Sequence, residues 1–198
     1  MATGMFVKTI SEKEATGAIG EIYRKEKAAM GAVMEATECW SARPDLLPIW
    51  EDFFNGVKGG FTLSPRDWRL ITFIAAKHVP STYCAQVYGQ RLLEDLGSKA
   101  AVVAVLRDYC TAGLSDRDVA MLRFAEMVAT DASKTTQADI DRLRAAGFSD
   151  PQVCDIALCA ALRCLLSRFI DAMGAHPEKQ FLDADVQFRR ALTVGKPV

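Results

Sequence analysis

The residues best placed to do chemistry are a thiol and its neighbours in Ser81-Thr82-Tyr83-Cys84-Ala85-Gln86-Val87-Tyr88. The segment opens a helix just after Pro80, with Ser81 at the N-cap, where its hydroxyl can accept from the Cys84 N–H. Cys84 then falls in the first turn, where the partial positive charge of a helix N-terminus favours thiolate over thiol. Ser81, Cys84 and Tyr88 stand at i, i+3 and i+7 and share one face. This is a place for thiol chemistry with one thiol where a redox pair has two. The alternative is that Cys84 is a small buried apolar residue, as many free cysteines are.

His78 lies three residues before Ser81, near the end of the preceding helix. It reads either as a base reaching the thiol or as a residue suited to a helix C-terminus. Tyr88 is one turn beyond Cys84 and can donate a hydrogen bond to sulfur or to a bound oxygen. Tyr83 and Trp68 can wall such a pocket.

The chain has six cysteines, Cys39, Cys84, Cys110, Cys154, Cys159 and Cys164, and none forms a Cys-x-x-Cys pair. With only His78 and His176 beside them, no zinc spacing is present, so no metal and no cofactor is expected. Cys154, Cys159 and Cys164 recur every five residues, which turns each step by about 140° and does not line one helix face. They read as core residues in a reducing, hence cytoplasmic, compartment. The stretch Met1 to Met5 shows no basic and apolar leader pattern. A net charge of −1 over 198 residues argues against nucleic-acid and membrane-surface binding. Val153 to Met173 is strongly apolar but is interrupted by Asp155, Arg163, Arg168 and Asp171, so it reads as a buried helix and not as a membrane span.

The elements that must position these residues are helical. Ser11-Glu12-Lys13-Glu14, Ser64-Pro65-Arg66-Asp67, Ser115-Asp116-Arg117-Asp118 and Ser149-Asp150-Pro151-Gln152 have the form of N-caps, with Pro65 at the favoured first helical position. Gly97, Gly147 and Gly174 follow apolar helical patterns and suit helix ends. The expected helices lie near 12–30, 44–58, 65–78, 82–96, 98–110, 115–130, 136–146 and 150–173, with a short one near 183–193. Pro80 should join 65–78 and 82–96 as an antiparallel or sharply angled pair. Gly59-Gly60 marks a flexible joint after an N-terminal helical arm. Leu63-Ser64-Pro65-Arg66-Asp67 is echoed by Leu114-Ser115-Asp116-Arg117-Asp118, as two related helical units or as two helix caps that arose independently.

These segments together resemble the AhpD-like alkylhydroperoxidase superfamily, which includes the carboxymuconolactone decarboxylases, and within it the peroxidase-related branch. The resemblance rests on Leu63 to Asp67, Tyr83-Cys84, Asp108-Tyr109, Leu114 to Asp118, Asp141 to Asp150 and the closing run Arg168 to Gly174, in that order. It covers roughly residues 14–175 and implies an all-α fold, with an N-terminal arm (1–60), a core (61–175) and a tail (176–198) in one AhpD-like domain. It also implies homo-oligomers. The family pattern is a Glu on the first core helix, then Cys-x-x-Cys, then a His four residues on. Here Cys84 occupies the attacking position, Ser81 the resolving Cys, Tyr88 the His and Arg69 the Glu.

The expected function is therefore a one-cysteine hydroperoxide reductase using the Cys84 thiolate, with a small peroxide as substrate and an external thiol as reductant. The alternative is a non-catalytic oligomeric scaffold or a binder of apolar small molecules on the same fold. A lactone decarboxylase ranks below both, because its acid–base residues are missing.

Overall fold

The computed structural model describes residues 4–197, and every regular element among them is helical. The ten α-helices are α1 (Gly17–Met30), α2 (Glu35–Glu38), α3 (Leu47–Gly60), α4 (Pro65–His78), α5 (Thr82–Leu96), α6 (Lys99–Asp108), α7 (Asp116–Asp131), α8 (Gln137–Ala145), α9 (Asp150–Met173) and α10 (Val186–Ala191). The chain divides into two compact units, Met1–Phe61 with Phe169–Glu178, and Thr62–Arg168 with Lys179–Val198.

In the first unit, Ser11 does not start α1 as its cap-like sequence suggested. Its hydroxyl and N–H donate to Glu14 Oε2 (2.6 and 3.2 Å), which closes a separate turn, and α1 begins after Thr16. α3 continues helical through Gly60, so Gly59-Gly60 form its last turn, and the boundary between the two units follows directly, at Phe61–Thr62. Trp40 and Trp50 are packing residues: their rings stack at 4.5 Å, and Phe169 covers Trp40 at 4.3 Å. Glu26 accepts from Met34 N (2.9 Å) and Thr37 Oγ1 (2.6 Å), yet its burial pushes its carboxyl up to about 7.

The second unit holds Cys84. Ser64 and Asp67 form a full capping box on α4, with Pro65 at its first turn. Ser115 caps α7 by accepting from Asp118 N (3.1 Å). The echoed sequences meet in space. Arg66 donates both terminal nitrogens to Asp118 (2.9 and 3.0 Å), while Arg117 reaches back to Asp67 at 3.9 Å. The same Arg-Asp pair in each copy thus faces its counterpart in the other, and α4 packs against α7 through this reciprocal exchange.

α4 and α5 run antiparallel. Arg69 near the start of α4 grips Asp95 near the end of α5, and Phe73 lies against Gly89. The turn between them is tight, with Ser81 N donating to Ala76 O at 2.9 Å. Gly97 ends α5 at φ 76°, a conformation that a side chain disfavours. Cys159 on α9 approaches Thr72 (3.9 Å) and Trp68 O (4.0 Å), and Cys164 joins Ala75, Val79 and Ala129 in one core cluster. α9 therefore runs along α4 in the same direction.

Candidate active site

Cys84 is the third residue of α5, on the face that α9 covers, and is only 1% exposed. Two α9 side chains, one helical turn apart, reach it. Ser167 Oγ lies 3.2 Å from its sulfur, and Arg163 Nη1 lies 3.8 Å away. The other terminal nitrogen of Arg163 donates to Tyr88 Oη at 2.8 Å, and its guanidinium also stands over the Tyr88 ring, 4.8 Å from the centroid. The i, i+4 spacing on α5 (Cys84, Tyr88) thus meets the i, i+4 spacing on α9 (Arg163, Ser167), with the two helices antiparallel.

Arg163 was passed over in the sequence, where it read as one interruption in an apolar run. It is 5% exposed, and no carboxylate pairs with it among the described residues. Burial opposes its charge, but the facing Tyr88, Cys84 and Cys159 outweigh burial and hold its pKa above the ordinary Arg value. Its Nε has no hydrogen-bond partner among the described residues. A buried cation needs a compensating anion or dense hydrogen bonding. The groups nearest to it are a thiol and a phenol, both able to become anions.

The other expected site residues fall differently. Arg69 does not face the thiol. Its guanidinium makes a two-pronged pair with Asp95 (2.6 and 2.7 Å), so its charge is already met by a carboxylate. Ser81 stands at the N-cap position but does not cap with its side chain, and its fully buried hydroxyl has no partner among the described residues. His78 is the last residue of α4 and faces α7, where Nε2 lies 3.0 Å from Glu126 Oε1. Glu126 also accepts from Tyr109 Oη. Burial lowers the His78 pKa from the ordinary His value, against the pull of Glu126. Burial also pushes Cys39 and Cys159 up to about 12 and raises Cys164, while Cys110 and Cys154 are exposed.

The segment after α10 covers the start of α5. Gly195 N donates to Thr82 Oγ1 (3.0 Å), and a Cβ at Gly195 would stand 1.8 Å from Pro80 O. Gln86 Nε2 donates to Arg189 O (2.8 Å), and Leu192 fills the space that a side chain at Gly89 would take.

Comparison with solved structures bears on this arrangement. A peroxidase-related protein from Ralstonia eutropha JMP134, described as an alkylhydroperoxidase AhpD core, superposes with a TM-score of 0.82 at 21% identity, covering 89% of this chain and 94% of its own. The chain has the AhpD-like fold. A second AhpD-like neighbour, a peroxidase-related protein from Silicibacter sp. TM1040, matches at TM-score 0.76 and 19% identity, over 87% of this chain and 93% of that one. The debrominase Bmp8, in a Cys-to-Ala variant complexed with 2,3,4-tribromopyrrole, matches at TM-score 0.76 and 17% identity, over 97% of both chains. No protein-family model matches the sequence, and no curated protein matches it. No helix among the described residues is long and apolar enough to cross a membrane.

Proposed function

We propose that this AhpD-like chain is a one-cysteine thiol reductase of small peroxides, with Cys84 as nucleophile and Arg163 as its counter-ion. The observation that carries the reading is the buried guanidinium, with no carboxylate partner among the described residues, 3.8 Å from the Cys84 sulfur. A scaffold that used only the fold would gain nothing from burying a cation beside a thiol, since an apolar residue there costs less.

In the reaction, the Cys84 thiolate attacks the distal oxygen of a hydroperoxide and the O–O bond breaks. Sulfur takes that oxygen as sulfenic acid, and the alkoxide leaves with a proton taken from solvent or passed by Tyr88. Arg163 stabilises first the thiolate and then the leaving oxygen, and Ser167 fixes the sulfur by its hydrogen bond. Ser81 holds no thiol to resolve the sulfenic acid. Two equivalents of an external thiol therefore reduce it, yielding a disulfide and water. That reductant fits a chain working in a reducing, cytoplasmic setting.

The neighbour holding 2,3,4-tribromopyrrole favours a second reading. The same thiolate can accept an electrophilic halogen from an aromatic ring while the carbon takes a proton. Both readings need the Cys84–Arg163 pair and differ in the atom transferred.

The experiment is turnover of hydrogen peroxide and cumene hydroperoxide with dithiothreitol as reductant, for the native chain and Cys84→Ser. Turnover lost in Cys84→Ser supports the reading. Equal rates for the two proteins, at the background of the reductant alone, would overturn it.

A further inference from the structure

Four successive helices of the second unit, α4 to α7, have a serine at the N-cap: Ser64, Ser81, Ser98 and Ser115. The hydroxyls of Ser64, Ser98 and Ser115 each accept from the N–H three residues on, at 3.1 Å. Ser81 does not cap in this way. Its ψ is 101°, against 154–157° in the other three, and the difference swings its side chain off the Cys84 N–H. The hydroxyl does not turn to solvent instead. Ser81 is 0% exposed, and its Oγ has no partner among the described residues. A hydroxyl buried in that state is costly, and an alanine would avoid the cost.

The reaction supplies a partner. Ser81 and Cys84 are three residues apart at the start of α5 and share a face. A helical side chain leans back towards the N-terminus, so an atom added to the Cys84 sulfur extends over the turn that Ser81 opens. The sulfur's other polar neighbours, Ser167 and Arg163, come from α9. Thr82, the other hydroxyl of that turn, is engaged by Gly195 N at 3.0 Å. The atom that peroxide adds is the sulfenic oxygen. Partial negative charge on that oxygen is favoured at the N-terminus of a helix, beside the uncapped Cys84 N–H.

We propose that Ser81 receives the transferred oxygen: once Cys84 is oxidised, the Ser81 hydroxyl donates to the sulfenic oxygen and holds it against the first turn of α5. The inference rests on the peroxidase reading of this site. Its consequence is protection. A second hydroperoxide oxidises a sulfenic acid when the sulfur lone pair attacks the distal oxygen; the O–O bond breaks, sulfinic acid forms and an alcohol or water leaves. A hydrogen bond from Ser81 draws electron density from the S–O group and fixes its direction, which slows that attack. The serine that cannot resolve the sulfenic acid as a disulfide thus preserves it for the external thiol.

The test is mass spectrometry of Cys84 after hydrogen peroxide without reductant, with dimedone to trap sulfenic acid, in the native chain, Ser81→Ala and Ser81→Thr. Sulfenic acid should form at the native rate in all three. It should pass on to sulfinic acid about threefold or more faster in Ser81→Ala, the effect of one lost hydrogen bond, and at the native rate in Ser81→Thr. The urea midpoint of the reduced protein should not fall in Ser81→Ala, since no bond of the resting hydroxyl is lost. Equal overoxidation in the native chain and Ser81→Ala, as a buried water serving Ser81 in both states would give, overturns this proposal alone. So does a fall in the reduced midpoint, which would show a bond already made at rest. A native chain that forms no sulfenic acid at Cys84 overturns the peroxidase reading, and this proposal with it.

Discussion

Arg163 Nη1 lies 3.8 Å from the sulfur of Cys84, and Nη2 of the same guanidinium donates to Tyr88 Oη at 2.8 Å. One buried cation therefore bridges the two acidic side chains on the inner face of α5. Replacing it with Met keeps most of the volume and removes the charge. Arg163→Met should lower the rate of peroxide attack on Cys84 by about tenfold or more, the equivalent of about 1.4 kcal/mol. Global stability should change little or rise, since an apolar residue can replace a buried charge without penalty. Stopped-flow peroxide consumption and urea denaturation measure the two effects separately.

Tyr88 has the opposite balance. Tyr88→Phe keeps the ring beneath the guanidinium but removes the acceptor of Nη2, leaving a buried charged donor with one partner fewer. The expected cost is about 1–3 kcal/mol of stability. A shift in the urea midpoint at constant slope is the readout.

How much of this was legible in the sequence differs by element. The bounds of α4 and α5 follow from local signals: the Ser64-Pro65 cap, Pro80 between the two helices, and Gly97 at the end. α2 is four residues long, has no side-chain cap and passes directly into a 3-10 turn at Cys39–Ala42, so no periodic signal announces it. Arg163 is 79 residues from Cys84, and nothing local ties them. The available signal was a cation on the helix that reads as buried all round, where it must find an anion. Arg69 misled for the converse reason. Its position matched the family's Glu, but Asp95, one antiparallel helix away, claims its charge.

Glu26 makes the first unit sensitive to pH. Burial lifts its carboxyl from an ordinary value of 4.5 to about 7 in the folded protein, so the folded state holds this proton more tightly than the unfolded state does. Its contribution to stability is complete below about pH 4.5 and is lost as the pH rises towards about 7. The loss is at most about 1.4 kcal/mol per pH unit across that window, less where solvent reaches the carboxylate. Thermal melts from acid to neutral pH should show this slope in the native chain, and Glu26→Gln should flatten it.

The C-terminal segment is held against α5 where no side chain fits. A Cβ at Gly195 would meet Pro80 O at 1.8 Å, a backbone atom that cannot step aside. Gly195→Ala should release residues 192–197 from Thr82 at a local cost of about 1–3 kcal/mol. Hydrogen exchange should then quicken at Gly195 and in the first turn of α5, while α7 and α8 keep their protection.

The central claim is that Arg163 activates Cys84 as the nucleophile. The direct measurement is the rate at which iodoacetamide alkylates Cys84 at neutral pH, followed by mass spectrometry in the native chain and in Arg163→Met. The predicted result is a Cys84 rate about tenfold or more lower in Arg163→Met. Equal Cys84 rates in the two proteins would contradict the account.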